Sequence, residues 1–183
     1  MSQIDIPEQF IKWAYLERAQ LIQRQAAGEE IEPNEIFLGF SRRTPAIVSN
    51  GPAGLNASIK GIGFLPKTEY LQDTLNAYLE HIDFNRFGTL ELVCAHTWEN
   101  IQVDPKVTLL FYQPPMISFE VRGYAEIHTT GSVYHQLINA QYDVYHRPNP
   151  QGWKERPAYV FNVEEIFDNS VTHDGFGTKI FGM

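Results

Sequence analysis

Two long β-rich runs lie next to each other in the second half of the chain and restrict the choice of fold. They extend from Lys106 to Tyr112 and from Ile117 to His128, and only Gln113 to Met116 separate them. Runs rich in β-branched and aromatic residues with so short a connection pair as the antiparallel strands of a hairpin. The chain is therefore expected to build an antiparallel sheet.

A second hairpin is predicted earlier in the chain. Pro45 to Ser49 and Leu55 to Lys60 flank Asn50 to Gly54, a segment dense in turn-forming residues. Side chains alternate between the two faces of a strand. The second arm then has a polar face and an apolar face, which carry Asn56, Ser58 and Lys60 on one side and Leu55, Ala57 and Ile59 on the other.

Helical spacing of apolar residues predicts a helix at about 6–27, an inserted helix at about 68–82 and a helix capped by Ser132. Further strands are expected at 89–95 and 158–163, with a short helical turn at 97–103 and an irregular tail from Val171. These helices are too few to connect parallel strands. We expect one domain over 1–183, mainly β with peripheral helices, in a small antiparallel barrel.

Composition and charge exclude several classes of protein. The chain has 183 residues and a net charge of -8 at pH 7, which argues against nucleic acid and anionic membrane surfaces as partners. It has no apolar run of membrane-spanning length, and its first residues do not form a signal peptide, so a cytoplasmic location is expected. A single cysteine, Cys94, excludes an internal disulfide.

Common catalytic motifs are missing from the sequence. The six histidines show no metal-ligand spacing, so no metal site is expected. The chain contains neither the Gly-x-Ser-x-Gly elbow of serine hydrolases nor a Gly-rich loop ending in Gly-Lys-Ser or Gly-Lys-Thr. No catalytic acid or base is identified.

The polar face of the first hairpin suits a phosphate group. Lys60 supplies a positive charge and Ser58 a hydroxyl donor on the same face. His96 and Thr97 follow at a predicted strand-to-helix junction, where exposed amide groups also favour an anion. The alternative is that each pair is only a solvated strand end.

Four blocks of the sequence resemble a known family. In order they are 47–61 (IVSNGPAGLNASIKG), 97–111 (TWENIQVDPKVTLLF), 117–127 (ISFEVRGYAEI) and 158–170 (AYVFNVEEIFDNS). They resemble successive blocks of the pyridoxamine 5'-phosphate oxidase-like, FMN-binding split-barrel family, including its short helix with an Asn-Leu pair, here Asn100-Ile101. The order and spacing of the blocks carry the resemblance.

The resemblance implies a six-stranded antiparallel split barrel that dimerises and holds FMN in clefts between the subunits. It places Ser58, Lys60 and Gly61 on a strand near the flavin, and His96 and Thr97 in the phosphate-binding segment. Ser118 matches a strand position that touches the flavin or its ribityl chain in many members.

The chain also departs from the family. His96-Thr97 stands where many members have Arg-Lys, and the C-terminal Arg-containing motif that true pyridoxamine phosphate oxidases use on substrate is missing. The leading hypothesis is a homodimeric FMN-dependent oxidoreductase with a small organic substrate other than vitamin B6. The alternatives are a non-catalytic binding protein for flavin, deazaflavin or haem, and a scaffold that has lost its cofactor.

Overall fold

A computed structural model describes residues 6–31, 43–71, 79–92, 95–142 and 155–183 of the chain. Within these residues the strands form a single antiparallel sheet of eight strands, where six were expected. Its strands are β1 (Ala46–Ser49), β2 (Asn56–Ile59), β3 (Gly63–Pro66), β4 (Ile82–Leu90), β5 (Lys106–Gln113), β6 (Ile117–His128), β7 (Ala158–Asp168) and β8 (Thr178–Phe181).

The strand order is β2-β1-β5-β6-β7-β4-β3, and β8 pairs with β7. Both predicted hairpins are confirmed, since β1 pairs with β2 and β5 pairs with β6 in antiparallel register. The first hairpin leaves β2 at one edge of the sheet.

The pairing register defines two faces of the sheet in its β2-β1-β5-β6 half. Ser58 stands opposite Ile47, Ile47 opposite Leu109, and Leu109 opposite Val121. The three apolar members of this row are buried, so we call this side the inner face. The opposite, outer face carries the row formed by Ile59, Ala46, Leu110 and Glu120.

Two apolar clusters stabilise the fold. The larger one joins the inner face to the N-terminal helices α1 (Glu8–Ala14) and α2 (Leu16–Ala26). The smaller one packs helix α4 (Val133–Tyr142) against β3, β4 and β7 through residues such as Ile138 and Val160. Helix α3 (Ala95–Ile101) lies beside β1 and β2.

The predicted N-terminal helix is confirmed, with a break at Tyr15 between α1 and α2. Tyr15 leaves helical geometry, at φ -127° and ψ 60°, and its side chain is fully buried. Its ring centroid lies 4.0 Å from that of Phe64 and 5.5 Å from that of Phe87. The break between the two helices therefore coincides with an aromatic ring that packs in the core against β3 and β4.

The inserted helix expected at 68–82 differs from prediction at both ends. Thr68–Tyr70 and Leu79–His81 are 3₁₀ turns, and Ile82 already belongs to β4; residues 72–78 lie outside the described part. The strand expected at 89–95 ends at Leu90 instead. The pairing of β3 with β4 contains a register shift, and this shift interrupts the alternation of side chains along β4. The first half of β4 therefore lacks the sequence pattern by which a strand is predicted.

Other expectations had mixed outcomes. Ser132 caps α4, because its Oγ accepts a hydrogen bond from the His135 N–H at 3.0 Å. The tail expected to be irregular from Val171 has no helix or strand over 171–177, but Thr178–Phe181 corrects the prediction because it pairs with β7 as β8. Cys94 lies outside the described residues. None of the helices in the described ranges has the length and apolar character needed to cross a bilayer.

Candidate functional site

The polar row of β2 faces into the protein. Asn56 and Ser58 share the inner face with the core residues of β1 and β5, as the alternation predicted. The apolar residues of the same strand point outward, and Leu55 and Ile59 are 79% and 65% exposed. An edge strand that turns its polar side chains inward needs polar partners there.

Helix α3 supplies a partner for both side chains. The Asn56 amide donates from Nδ2 to Thr97 Oγ1 at 2.8 Å, and Ser58 Oγ lies 3.0 Å from the same oxygen. Thr97 is fully buried. We call Asn56, Ser58 and Thr97 the hydroxyl–amide cluster. It unites two segments that the sequence analysis assigned separately to a phosphate.

Asn100 holds α3 in place against the first hairpin. Its Oδ1 accepts from the Ala53 N–H at 2.9 Å, and its Nδ2 donates to the Gly54 carbonyl at 2.7 Å and to Ser49 Oγ at 3.3 Å. A Cβ on Gly51 would lie 2.9 Å from the Asn100 Cα, so only glycine fits there. The hairpin turn and α3 therefore form one unit that positions Thr97.

Lys60 follows Ser58 as the last residue of the polar row, and it is buried. Its Nζ is 3.2 Å from both carboxylate oxygens of Glu91, and the Tyr159 hydroxyl donates to Glu91 Oε2 at 2.8 Å. Lys60 is 4% exposed and its two partners are 0% exposed. The alternative of a solvated strand-end lysine is wrong. A contact between Lys60 and a phosphate stays a prediction, and it has to compete with Glu91.

His96 and Gly61 flank this region. His96 is exposed at the second position of α3, beside Thr97. The Gly61 carbonyl accepts a hydrogen bond from Thr89 Oγ1 at 2.6 Å, which fixes the chain just after the polar row. The structure thus brings Ser58, Lys60, Gly61, His96 and Thr97 into one neighbourhood.

Ser118 lies elsewhere in the same chain. The inner-face row through Ser58 reaches β6 at Val121, and Ser118 is three residues away, on the outer face beside Tyr112. Three residues span about 10 Å along a strand. Its N–H donates to Ser170 Oγ at 3.1 Å. One copy of the chain cannot place Ser118 in the hydroxyl–amide cluster.

A charged network covers the outer face of β6, β7 and β8. Arg122 pairs with Glu120 at 2.5 Å, Lys179 pairs with Glu165 at 2.5 Å, and Arg122 Nη1 lies 3.9 Å from Glu165. Burial raises the pKa of Glu120, but hydrogen bonds from Arg122 and Asn169 outweigh it and hold that pKa below its ordinary value. The hydrogen bond to Glu120 raises the pKa of Arg122.

A cavity of about 430 Å³ opens on the outer face next to this network. Val48, Leu55 and Thr108 contribute to its wall, and Lys106, Arg122 and Glu165 line its charged side. The cavity lies at the Lys106 end of β5, and Tyr112 lies at the opposite end of that strand.

The sequence analysis missed Glu91, Tyr159 and the anchoring role of Asn100. Glu91 had a visible signal, because it is a charged residue inside the apolar run Leu90 to Ala95. A carboxylate in such a run requires a buried cation. Tyr159 had no comparable signal, since tyrosine is ordinary in a β-strand.

The fold can be compared with known proteins. Neither the family models nor the curated proteins include a match to this chain. The crystal structure of HupZ from Group A Streptococcus is 17% identical, covers 76% of this chain and 90% of its own, and superposes with a TM-score of 0.50.

Two further solved structures are similar at lower scores. A putative pyridoxamine 5'-phosphate oxidase from Listeria innocua is 14% identical over 69% of this chain and 88% of its own, with a TM-score of 0.46. HutZ, described as the haem storage protein from Vibrio cholerae, is 12% identical over 77% of this chain and 89% of its own, with a TM-score of 0.45. At sequence identities this low, the similarity concerns the fold alone.

The chain has the split-barrel fold of the pyridoxamine 5'-phosphate oxidase-like proteins. The resemblance drawn from the four sequence blocks is thereby confirmed at the level of fold. In this split barrel the hydroxyl–amide cluster lies at the edge strand β2, and Ser118 lies on the outer face.

Proposed function

We propose that this split barrel is a homodimeric FMN-dependent oxidoreductase that acts on a small organic substrate other than vitamin B6. The observation that carries the proposal is the hydroxyl–amide cluster. Ser58 and Thr97, which the family resemblance assigns to cofactor binding, lie 39 positions apart in sequence and share a hydrogen bond of 3.0 Å.

The side chains present suit a phosphate-bearing cofactor. Phosphate oxygens accept hydrogen bonds, and the cluster offers two rotatable hydroxyls and one amide, with the imidazole of His96 beside them. Each present bond within the cluster is between neutral groups and can be exchanged for a stronger bond to a phosphate oxygen. A bound flavin supplies the electron transfer, while the protein holds and orients it.

The proposed homodimer rests on the outer face. Its apolar side chains form a strip on β2 and β5, where Leu55, Ile59, Leu110 and Tyr112 are 79%, 65%, 38% and 56% exposed. An apolar strip of this kind on a soluble protein indicates an interface. Because Ser118 lies on the same face, a second copy packed there would bring its Ser118 towards the outer side of the edge strand β2, whose inner side carries the cluster.

Titration of the apoprotein with FMN, followed by flavin fluorescence, tests the proposal. Ser58→Ala and Thr97→Val should each raise the FMN dissociation constant about tenfold, the equivalent of one hydrogen bond to a charged group. Thr130→Val, which removes an exposed hydroxyl next to α4, should change nothing. Unchanged affinity in the first two folded variants, or no FMN binding by the native chain, would overturn the assignment.

A second candidate is a binding protein for flavin, deazaflavin or haem that does not turn over. The observation in its favour is that Lys60 and Tyr159 both hydrogen-bond to Glu91 inside the protein. These three side chains then serve the structure of the site and not proton transfer to a substrate. Reduction of the bound flavin by NADH or NADPH, followed by reoxidation with an acceptor, distinguishes the enzyme. Repeated bleaching and recovery of the absorbance band near ~450 nm indicates turnover.

A further inference from the structure

The loop between β7 and β8 holds Phe176 in an unfavourable conformation. Phe176 has φ 56° and is the one non-glycine residue with positive φ in the described part of the chain. A bulky residue in the left-handed region is strained, and such strain persists where it serves a function. Its ring is also 73% exposed. In a single copy of the chain, both the backbone conformation of Phe176 and the exposure of its ring are therefore unfavourable.

The loop keeps this conformation through its own contacts. The Phe176 N–H donates to the Ser170 carbonyl at 3.0 Å, and the Gly177 N–H donates to the Asp168 carbonyl at 2.9 Å. Gly175 packs so tightly that a Cβ there would lie 2.1 Å from the Ser170 oxygen. A ring held outward in advance loses little conformational freedom when it binds.

Phe176 belongs to an exposed apolar corner of the molecule. Val171 and Met116 are 51% and 47% exposed, and the Val171 N–H donates to the Met116 carbonyl at 2.8 Å. We call Met116, Val171 and Phe176 the corner patch. It adjoins the turn between β5 and β6, at the end of the sheet that also carries Tyr112 and Ser118.

The outer-face cavity lies at the other end of β5. Strand β5 extends from Lys106, on the cavity, to Gln113, next to the corner turn, a distance of about 25 Å. A two-fold axis that lies between two packed outer faces and runs perpendicular to β5 reverses the strand direction of the second copy. The corner patch of each copy then faces the cavity of the other, as an isologous interface requires.

The size and apolar wall of the cavity agree with this arrangement. A phenylalanine buries about 150 to 250 Å² on entering a pocket, and the cavity has Val48 and Leu55 in its wall. The loop carries Asp174, which is 95% exposed, and the cavity carries Lys106. The cavity lining carries charges of both signs, with Asp104, Glu164 and Glu165 beside Lys106 and Arg122, and Lys106 is the cation with which Asp174 of the second copy can pair.

We propose that Phe176 of each copy inserts into the outer-face cavity of the second copy and anchors the homodimer. The inference rests on the homodimer of the proposed function and adds the anchor and its pocket. Aromatic side chains seated in pockets commonly dominate the free energy of an interface. Burial of the Phe176 ring in the homodimer then explains why the residue is strained and exposed in a single copy.

Sedimentation velocity at micromolar concentration is the first test. The native chain should sediment as a dimer of 21.0 kDa subunits, and Phe176→Asp should raise the dimer dissociation constant about 100-fold or more. Phe176→Tyr keeps the ring and should retain the dimer, while Leu92→Ala is a control at another exposed apolar residue. A native monomer contradicts the proposed homodimer; a native dimer with an equally tight Phe176→Asp variant contradicts this inference alone.

Mixing two variants tests the pairing of anchor and cavity. Thr108→Trp fills the cavity and should give a monomer, as should Phe176→Asp. An equal mixture should give a heterodimer, because the ring of the Thr108→Trp chain meets the intact cavity of the Phe176→Asp chain. Circular dichroism verifies that both variants fold. A mixture that stays monomeric would show that Phe176 does not enter this cavity.

A third measurement separates an interface role from a structural one. Phe176→Gly removes the strain at positive φ, so the diluted monomer should unfold at a higher urea concentration while its dimer weakens. A lower unfolding midpoint would mean that the ring stabilises its own chain, which contradicts the proposal.

Discussion

At the scale of single residues, the ion pair between Lys60 and Glu91 raises the question of why a charge is buried beside the candidate site. Both side chains are buried, and the Tyr159 hydroxyl satisfies Glu91 further. A buried pair of this kind contributes little net stability compared with apolar residues of similar size, although removal of one partner is costly. The pair is therefore better understood as a constraint on the end of β2 than as a source of stability.

Removal of one partner should show this cost. Lys60→Met leaves the Glu91 carboxylate buried without its cation, so the free energy of unfolding should fall by about 3 to 5 kcal/mol. The triple variant Lys60→Met, Glu91→Leu, Tyr159→Phe removes all three polar groups and should recover most of that loss. Urea unfolding of both variants measures the difference. Equal losses would show that the charge is not the cause.

Glu120 on the outer face gives a prediction about pH. Hydrogen bonds from Arg122 and Asn169 outweigh burial and hold its pKa below the ordinary value of 4.5. A lowered carboxylate pKa stabilises the fold above the unfolded-state value, and this stabilisation is lost as pH falls through the folded-state value. Glu120→Gln should therefore weaken the dependence of the unfolding midpoint on pH below about 4.5. Identical acid profiles for both proteins would contradict this account.

Part of the candidate site could be predicted from residues alone. Alternation placed Asn56, Ser58 and Lys60 on one face, because strand geometry is local. The partner of Lys60 could not be predicted in that way, since Glu91 is 31 residues distant and only the tertiary fold brings it near. The same limit applies to Thr97, whose contact with β2 depends on where Asn100 anchors its helix.

At the scale of elements, the first hairpin and α3 behave as one unit. Asn100 is fully buried and hydrogen-bonds to Ala53, Gly54 and Ser49. The hairpins were predictable because turn residues and strand patterns are adjacent in sequence. The strand β8 was not, because Gly177 and Gly182 bracket only four residues and its pairing with β7 is long-range.

Asn100→Ala should loosen this unit. The substitution leaves the Ala53 N–H without its acceptor, so that amide should exchange its hydrogen at least tenfold faster. Global stability should fall by about 1 to 3 kcal/mol because buried hydrogen bonds are lost. Amide exchange in the native state measures the first effect. Unchanged exchange at Ala53 would mean that the turn holds its shape without Asn100.

At the scale of the whole molecule, charge limits how the proposed cofactor, FMN, would approach. The chain carries a net charge of -8, and the ammonium of Lys60 already pairs with Glu91. The long-range field therefore opposes a phosphate monoester even where short-range hydrogen bonds favour it. The long-range field is therefore expected to lower the association rate constant, whereas the short-range hydrogen bonds determine the final affinity.

Salt should therefore speed the binding of FMN to the apoprotein. Ions screen the repulsion between like charges, and the screening length shrinks from about 30 Å at 0.01 M to about 8 Å at 0.15 M salt. Stopped-flow fluorescence should show an association rate constant that rises about two- to fivefold over this range. Riboflavin, which has the same ring system without the phosphate, is the matched control and should bind at a rate that salt does not change. A rate for FMN that falls with salt would show a locally positive site, and would indicate that Lys60 exchanges Glu91 for the phosphate.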